Sequence, residues 1–590
     1  MATFTSRSGN TTFTGTSTTW DLVDYRGDYA AGGTAGVNVN LATGVAKDGW
    51  GATDTLVSIE SVFGTRSKDV FRGSIYDNQF MGGGGADTII GGGGYDTIDY
   101  AAEQTYTDGS LGVRVNFATG RATDTFGAID TLSGLFAVRG TSLKDVFTGS
   151  ARTYRDSTNA VQDYEQFEGN RGADTIDGGN GFDAVSHLYD PAGIVANLTT
   201  GTIKDGWGDI DRVFNIERVI GSAHKDVITG GENHYTDAWG NRSEFMSYRG
   251  MEGADTINGG AGIDEVMYDR DPKAVRVDLA LGRATDGWDD VDILRGIERV
   301  RGSNYDDTLL GSGGDNAFRG MAGHDFIDGR QGTDEVIYTG DASGVVVDLT
   351  QGKARDGWGY LDTLAGIENV RGSMFHDTLV GNSGDNRLSG MAGADTITGG
   401  AGNDMVCYAS DAYMGGTRGV MVNLTTNRGR DGWGGSDILS GIEQACGTRA
   451  ADTLTGGAGE NLLLGQDGND ILSGAGGRDT LVGGAGADRF VYETAAEGND
   501  ILSDFSVQQR DRLEFRSRGF GGLTRGQLAA TRFESLASSS RATRATTRFI
   551  LNRQEKALYY DADGTGAGAA VRIATFTGGA LPSYSNIFIV

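Results

Sequence analysis

The stretch Gly82–Tyr100 reads GGGGADTIIGGGGYDTIDY, two nine-residue units in direct succession followed by a tyrosine. Each unit has glycine at its first, second and fourth positions, aspartate at the sixth and isoleucine at the eighth. Glycine at these places permits positive φ and close approach of backbones, so the first six residues predict a turn. The triplet that follows predicts a very short strand with one apolar side chain facing inward. Two units make a coil of 18 residues, and stacked coils place two parallel sheets around an apolar ladder.

The register extends in both directions. Glycines recur nine apart at Gly64, Gly73, Gly82 and Gly91, at Gly302 to Gly329, at Gly372 to Gly399 and at Gly447 to Gly483. An acid or amide series accompanies them, as in Glu60, Asp69, Asn78, Asp87 and Asp96, two residues ahead of Val62, Phe71, Phe80, Ile89 and Ile98. Two blocks break step, because Gly149 to Gly169 and Gly230 to Gly250 each span one nonapeptide plus eleven residues. Those insertions predict loops extruded from the stack. Between the nonapeptide blocks lies a second consensus, GVxVNLATGxAxDGWGxxDTLxGIExVRG, as at Gly36–Gly64 and Gly344–Gly372. Its alternating apolar residues predict strands, read as about two further coils per segment. Its DGW string stands at Asp48, Asp205, Asp286, Asp356 and Asp431, with DTF at Asp124.

Composition narrows the class. The 590 residues include 99 Gly, 3 Pro, 2 Cys and 5 His, with a formal charge of −30 and a pI near 4.5. Collagen needs abundant proline and is excluded. A disordered acidic tail lacks the 9% aromatic content found here. The acidity excludes a nucleic-acid partner, which needs a basic surface. Two cysteines supply no disulfide framework, no apolar run is long enough for a membrane span, and the N-terminus lacks an apolar signal region. One apolar residue per half-coil does not offset the ordering entropy of so much glycine, and carboxylates stacked on successive turns repel one another. A cation is therefore required. Residues 18 apart, such as Asp69 and Asp87, Asn78 and Asp96, or Asp470 and Asp488, offer an all-oxygen environment that suits Ca²⁺. His and Cys stand in no zinc-ligand spacing. About fifteen divalent cations would neutralise the chain.

These residues resemble the RTX (hemolysin-type) calcium-binding nonapeptide repeat, GGxGxDxUx. It is met by Gly82–Ile90, Gly91–Asp99, Gly178–Ser186, Gly259–Met267, Gly399–Cys407 and Gly483–Val491, and more loosely by Gly390–Thr398 and Gly465–Ser473. The resemblance implies an all-β, elongated parallel β-roll solenoid with calcium-bound turns, unfolded without the ion. Carried onto this sequence, the metal-binding positions are Asp69, Asn78, Gly82, Gly84, Asp87, Gly91, Gly93, Asp96, Asp174, Gly178, Asp183, Asp255, Gly259, Asp264, Asp307, Asp325, Asp334, Asp377, Asp395, Gly399, Asp404, Asp452, Asn461, Asp470, Asp479, Gly483 and Asp488. In the third block the comparable position falls on Met246, which has no ligand oxygen.

The organisation read from the sequence is a partial repeat at 1–35, a solenoid at 36–492 and a C-terminal region at 493–590. The solenoid has six blocks: 36–110, 111–192, 193–273, 274–343, 344–418 and 419–492. The tail, from Asp488–Phe515 and again in Thr547–Gly579, looks like the β-rich cap that follows RTX arrays in serralysin-type secreted proteins; within it residues 523–533 predict a short helix and Ser535–Thr547 a basic loop. Its apolar end, Ile587–Val590, partly matches the signal read by type I exporters of Gram-negative bacteria, with Asn586 where the family has an acid. Each DGW tryptophan is expected to pack on its own coil. Cys407 and Cys446 are expected to be free thiols in strands. No H-E-x-x-H, G-x-S-x-G or phosphate-binding loop is present, so the expectation is no enzyme. Two functions remain. One is a secreted calcium-binding structural or adhesive protein of the cell surface or matrix, with self-association or cell-surface polysaccharide as partners. The other is an exported effector, a toxin, bacteriocin or hydrolase, whose active site is not recognised.

Overall fold

A computed structural model describes residues 2–16, 20–101, 103, 110–151, 164–231, 245–578 and 580–590, and the backbone of 154–155, 161–162, 235–236 and 242–243. The chain divides into two compact units, Met1–Ser312 and Gly313–Val590. Both are β-roll solenoids built on one plan.

In the first unit, strands of three residues alternate between two sheets. The first sheet runs parallel through Leu22–Asp24, Ser61–Phe63, Gln79–Met81, Thr97–Asp99 and Ala137–Arg139. Neighbours are in register, Val62 against Phe80 and Ile98 against Val138. The second sheet pairs Val70–Arg72 with Thr88–Ile90 and then with Ile129–Ser133, again parallel. Val62, Phe80 and Ile98 from one sheet and Phe71 and Ile89 from the other are fully buried. The second unit repeats this, with Val370, Leu388 and Val406 opposed to Leu379 and Ile397. Burying one such side chain contributes about 1.5–3 kcal/mol. Ordering each of the nine residues that carry it costs about 1–2 kcal/mol in backbone entropy. The apolar ladder alone therefore falls short, and the turns must contribute.

The DGW segments depart from the expected parallel coils. Asn38–Asn40, Val45–Lys47 and Thr53–Val57 form an antiparallel meander within the second sheet. Its last strand joins the preceding coil at Thr12–Thr14 and its first joins the following one at Val70–Arg72. The cause is turn chemistry. The Asn40 carboxamide oxygen accepts the Thr43 N–H at 3.1 Å and Gly44 adopts φ 65°, so the chain reverses within the sheet instead of crossing over. The same meander recurs at Arg114–Ser133, Val195–Phe214, Arg276–Arg295, Val346–Ala365 and Met421–Ser440. Each puts three strands in the second sheet for one in the first.

The insertions after Gly149 and Gly230 carry short antiparallel hairpins, Tyr154–Arg155 with Val161–Gln162 and Tyr235–Thr236 with Arg242–Ser243. In the second unit, Asp500–Leu502 and Arg512–Phe515 extend the two sheets by one strand each. Phe549–Asn552, Ala557–Tyr560 and Val571–Phe576 then form an antiparallel cap, and Ile587–Ile589 pairs with Arg512–Phe515. Phe515, Phe520, Phe549 and Tyr560 pack ring to ring inside it. The helix expected at 523–533 is instead a two-residue strand at Gly526–Gln527 and a single 3-10 turn at Ala530–Arg532; Thr524, Gly526 and Thr531 in that stretch lower its helix propensity. The basic loop is anchored, since Thr543 and Arg544 both donate to the Glu534 carboxylate. No helix among the described residues is long and apolar enough to cross a membrane.

Candidate metal centres in the turns

The glycines divide the work of the turn. Those at the second and fourth positions hold positive φ, 83° and 123° at Gly83 and Gly85 and 116° and 88° at Gly92 and Gly94. Those at the first position permit close approach. A Cβ on Gly91 would lie 2.0 Å from the Gly134 carbonyl oxygen, and one on Gly178, Gly259 or Gly399 would meet the carbonyls of Asn215, Gly296 or Gly441. Cβ atoms on Gly82 and Gly483 would meet the carboxylates of Asp87 and Asp488. Gly84 lies under the Phe126 ring, 3.2 Å from its Cβ position, and Gly93 lies over Ile75. The aromatic of this DTF string therefore packs on the preceding coil's turn rather than on its own.

The sixth-position carboxylates form two ladders in each unit, one ahead of the strands of each sheet. The N–H of Asp69 donates to Asp87 Oδ1 at 2.8 Å, that of Asn78 to Asp96 Oδ1 at 2.7 Å, and that of Asp87 to Asp130 Oδ1 at 2.9 Å. The rungs recur at Asp145–Asp174–Asp211, Asp226–Asp255–Asp292 and Asp183–Glu217. In the second unit they run through Asp377–Asp395–Asp437, Asp334–Glu368, Asp325–Asp362, Asp404–Glu443, Asp452–Asp470–Asp488–Asp511 and Asn461–Asp479–Asp500. In the third block Met246 does occupy the rung beside Asp264, and the Tyr248 hydroxyl donates to Asp264 Oδ1 at 3.1 Å.

The second oxygen separates the nominated residues into two groups. In Asp69, Asp307, Asp377 and Asp452 it accepts a backbone N–H from Thr65, Ser303, Ser373 or Thr448, whose hydroxyl donates to the first oxygen. These carboxylates are saturated by protein donors. In Asp87, Asp96, Asp174, Asp255, Asp264, Asp334, Asp395, Asp404, Asp470, Asp479 and Asp488 the second oxygen is buried without a partner. The amides are also engaged: Asn78 accepts from Ser74 N and donates to the Glu60 carbonyl, and Asn461 accepts from Gly457 N and donates to the Glu443 carbonyl.

The meanders add carboxylates that sequence reading did not nominate. Asp48 Oδ1 accepts the N–H groups of Trp50 and Ala52 at 3.0 and 2.7 Å, closing the DGW turn, while its Oδ2 is buried and unpartnered. Asp28 accepts the Gly49 N–H at 2.9 Å, and the Tyr25 hydroxyl donates to Asp54 at 3.3 Å. The same arrangement holds Asp271, Asp286, Asp292 and Tyr268, and Asp341, Asp356, Asp362 and Tyr338. One copy has His187 in place of the tyrosine, its Nδ1 3.1 Å from Asp190 Oδ2. The signal is a Tyr-x-x-Asp string about twenty residues ahead of four of the five DGW strings.

Burial raises these carboxyls, and nearby like charges raise them further: Asp87 to about 10, Asp174, Asp255 and Asp395 to about 9, and Asp96 and Asp470 to about 8. Such a row of acids, each with one oxygen held by an N–H and one left bare, fits a hard divalent cation bound by oxygen. Among the described residues no three His, Cys, Asp or Glu side chains converge as a side-chain cage, so turn carbonyls would have to complete any coordination shell.

The sequence profile of the RTX calcium-binding nonapeptide repeat, in its four-copy form, matches residues 63–98, 166–185, 249–267, 301–336, 371–406, 447–481 and 465–493. No curated protein matches the chain. Among solved structures, the extracellular lipase LipA from Serratia marcescens is similar at 18% identity and a TM-score of 0.14, over 38% of this chain and 40% of the lipase. The chain thus spans less than half the length of that protein.

Proposed function

We propose that this chain, a protein of RTX calcium-binding nonapeptide repeats, is a secreted, non-catalytic protein that acquires its β-roll when calcium loads the turns outside the cell. The observation that carries the reading is the ladder of half-satisfied carboxylates. Asp87, Asp96, Asp174, Asp255, Asp395, Asp470, Asp479 and Asp488 are the residues that would hold the ion, with peptide carbonyls of their glycine turns. Bound there, calcium supplies the positive charge that lets neighbouring rungs ionise together. The saturated group, Asp69, Asp307, Asp377 and Asp452, instead fixes turns where a meander meets a nonapeptide block. In a calcium-poor cytoplasm the acidic chain stays extended for a type I exporter.

The role outside is structural or adhesive. Outward-facing aliphatics recur at one position of the meanders, Ile129 at 53%, Ile210 at 59% and Val291 at 46% exposure in the first unit and Leu361 at 49% in the second. A repeated apolar face of this kind suits lateral association or contact with a surface. Calcium titration of the metal-free protein, followed by far-ultraviolet circular dichroism and hydrodynamic radius, tests the switch. A gain of β signal with contraction is expected, and an unchanged spectrum and radius on chelation would overturn it. Electron microscopy of cell surfaces with and without the protein tests the role.

A further inference from the structure

The only two cysteines among 590 residues are Cys407 and Cys446. The fold puts them opposite each other. Met405–Cys407 and Gln444–Cys446 are adjacent parallel strands of the first sheet, paired Met405 to Gln444, Val406 to Ala445 and Cys407 to Cys446. In-register residues project from the same face, and strands about 4.8 Å apart fall inside the Cα separation of about 4.4–6.8 Å that a disulfide spans. Both thiols are buried, at 1% and 2% exposure.

What other modules place there is also informative. The corresponding cross-strand pairs are Asp99 with Arg139, Ser186 with Ile220 and Met267 with Arg301 in the first unit, and Ile337 with Arg371 in the second. Several of the arginines are ion-paired, Arg139 to Glu168 and Arg371 to Glu335. The last module alone places cysteine at this pair, and it does so at both positions. Around the pair stand Arg387, whose Nη2 lies 2.9 Å from Cys407 Sγ, and Gln466, whose Nε2 lies 3.3 Å from Cys446 Sγ. The neighbouring Cys446 thiol and then the Arg387 guanidinium hold Cys407 below the usual thiol range, at about 6, which favours the nucleophilic thiolate.

We infer that Cys407 and Cys446 form an intramolecular disulfide that staples the last meander module across the first sheet. The chemistry closes with a small-molecule disulfide as oxidant. Cys407 thiolate attacks one sulfur of the oxidant and expels a thiolate; Cys446 then loses its proton and attacks Cys407 Sγ, expelling the second. One protein S–S bond forms, two electrons pass to the oxidant, and two small thiols leave. The inference rests on strand register and is independent of the calcium reading.

The full-length protein, its folding verified by circular dichroism in the same sample, is incubated with oxidised glutathione, denatured, alkylated and mapped by mass spectrometry. The expected product is monomeric, lacks the mass of two hydrogens, and yields one cross-linked peptide joining Cys407 to Cys446. In Cys446→Ser the expected product is a persistent glutathione adduct on Cys407, which the wild type resolves. Alkylation of both thiols in the wild type, stable glutathione adducts on both, or intermolecular dimers would each overturn the staple.

Discussion

Asp69 and Asp87 stand one rung apart and carry the same side chain, yet they do opposite jobs. Asp69 accepts from Val37 N, Thr65 N and the Thr65 hydroxyl, so an amide in its place turns an NH₂ toward donors. Asp69→Asn should destabilise the first unit by about 1–3 kcal/mol, equally with and without calcium. Asp87 has one oxygen on the Asp69 N–H and the other bare. Asp87→Asn mimics the protonated acid, so metal-free stability should change by less than about 0.5 kcal/mol. Calcium affinity at that turn should fall by at least about tenfold, or ~1.4 kcal/mol. Denaturation curves in chelator at about pH 5, where protons neutralise the ladder, and in saturating calcium, with calorimetric titration, separate the two. Equal losses in both variants would refute the division. The distinction is legible in the sequence: Gly-Thr and Gly-Ser replace Gly-Gly at Gly64, Gly302, Gly372 and Gly447, and the Thr or Ser N–H and hydroxyl both donate to the following aspartate.

The meander is antiparallel where the alternation of its sequence predicts only strands. Alternation at Val37, Val39 and Leu41 gave strands in the right places, but period two carries no information on strand direction. Direction lay in the turn: an Asn or Asp three residues before its N–H donor, as at Asn116 to Thr119, Asn197 to Thr200 and Asp348 to Gln351, followed by glycine at positive φ in Gly120, Gly201 and Gly352. The nonapeptide coils were legible because one glycine spacing dictates turn, strand and register together. The meander also shows packing that pattern alone cannot give. A Cβ on Gly49 would lie 2.9 Å from Asp28 Cβ. In the second module the glycine becomes Thr125 and the aspartate becomes Glu103, whose longer arm still reaches the Thr125 hydroxyl at 2.9 Å. Gly49→Thr should therefore cost about 1–3 kcal/mol by overpacking, and Asp28→Glu added to it should recover at least about 1 kcal/mol. A double-mutant cycle in thermal unfolding measures the coupling, and strict additivity would show that the two positions do not share one space.

Over the whole molecule the same carboxyls set the response to pH. Asp87, Asp174, Asp255 and Asp395 are raised to about 9 or 10 in the metal-free fold, chiefly by burial, whereas the unfolded chain titrates near 3.9. Between those limits the folded state binds more protons than the unfolded state, so unfolding becomes easier as pH rises. Each unmatched proton contributes a slope of about 1.4 kcal/mol per pH unit. The stability is full below the unfolded value and is lost as pH climbs through the folded one. In chelator, the fraction of chain that is folded should accordingly be higher at about pH 6 than at about pH 8.5. Calcium competes with those protons for the same oxygens, so its affinity should increase over the same interval and its binding should release protons into weakly buffered solution. In saturating calcium the fall in stability with pH should flatten or reverse. The formal charge of −30 then describes a chain that folds only after its acids are neutralised, by protons when the ion is scarce and by the ion when it is not. Circular dichroism across that pH range, with and without calcium, decides it: a metal-free β signal that rises with pH would mean that the ladder is ionised and stable by itself.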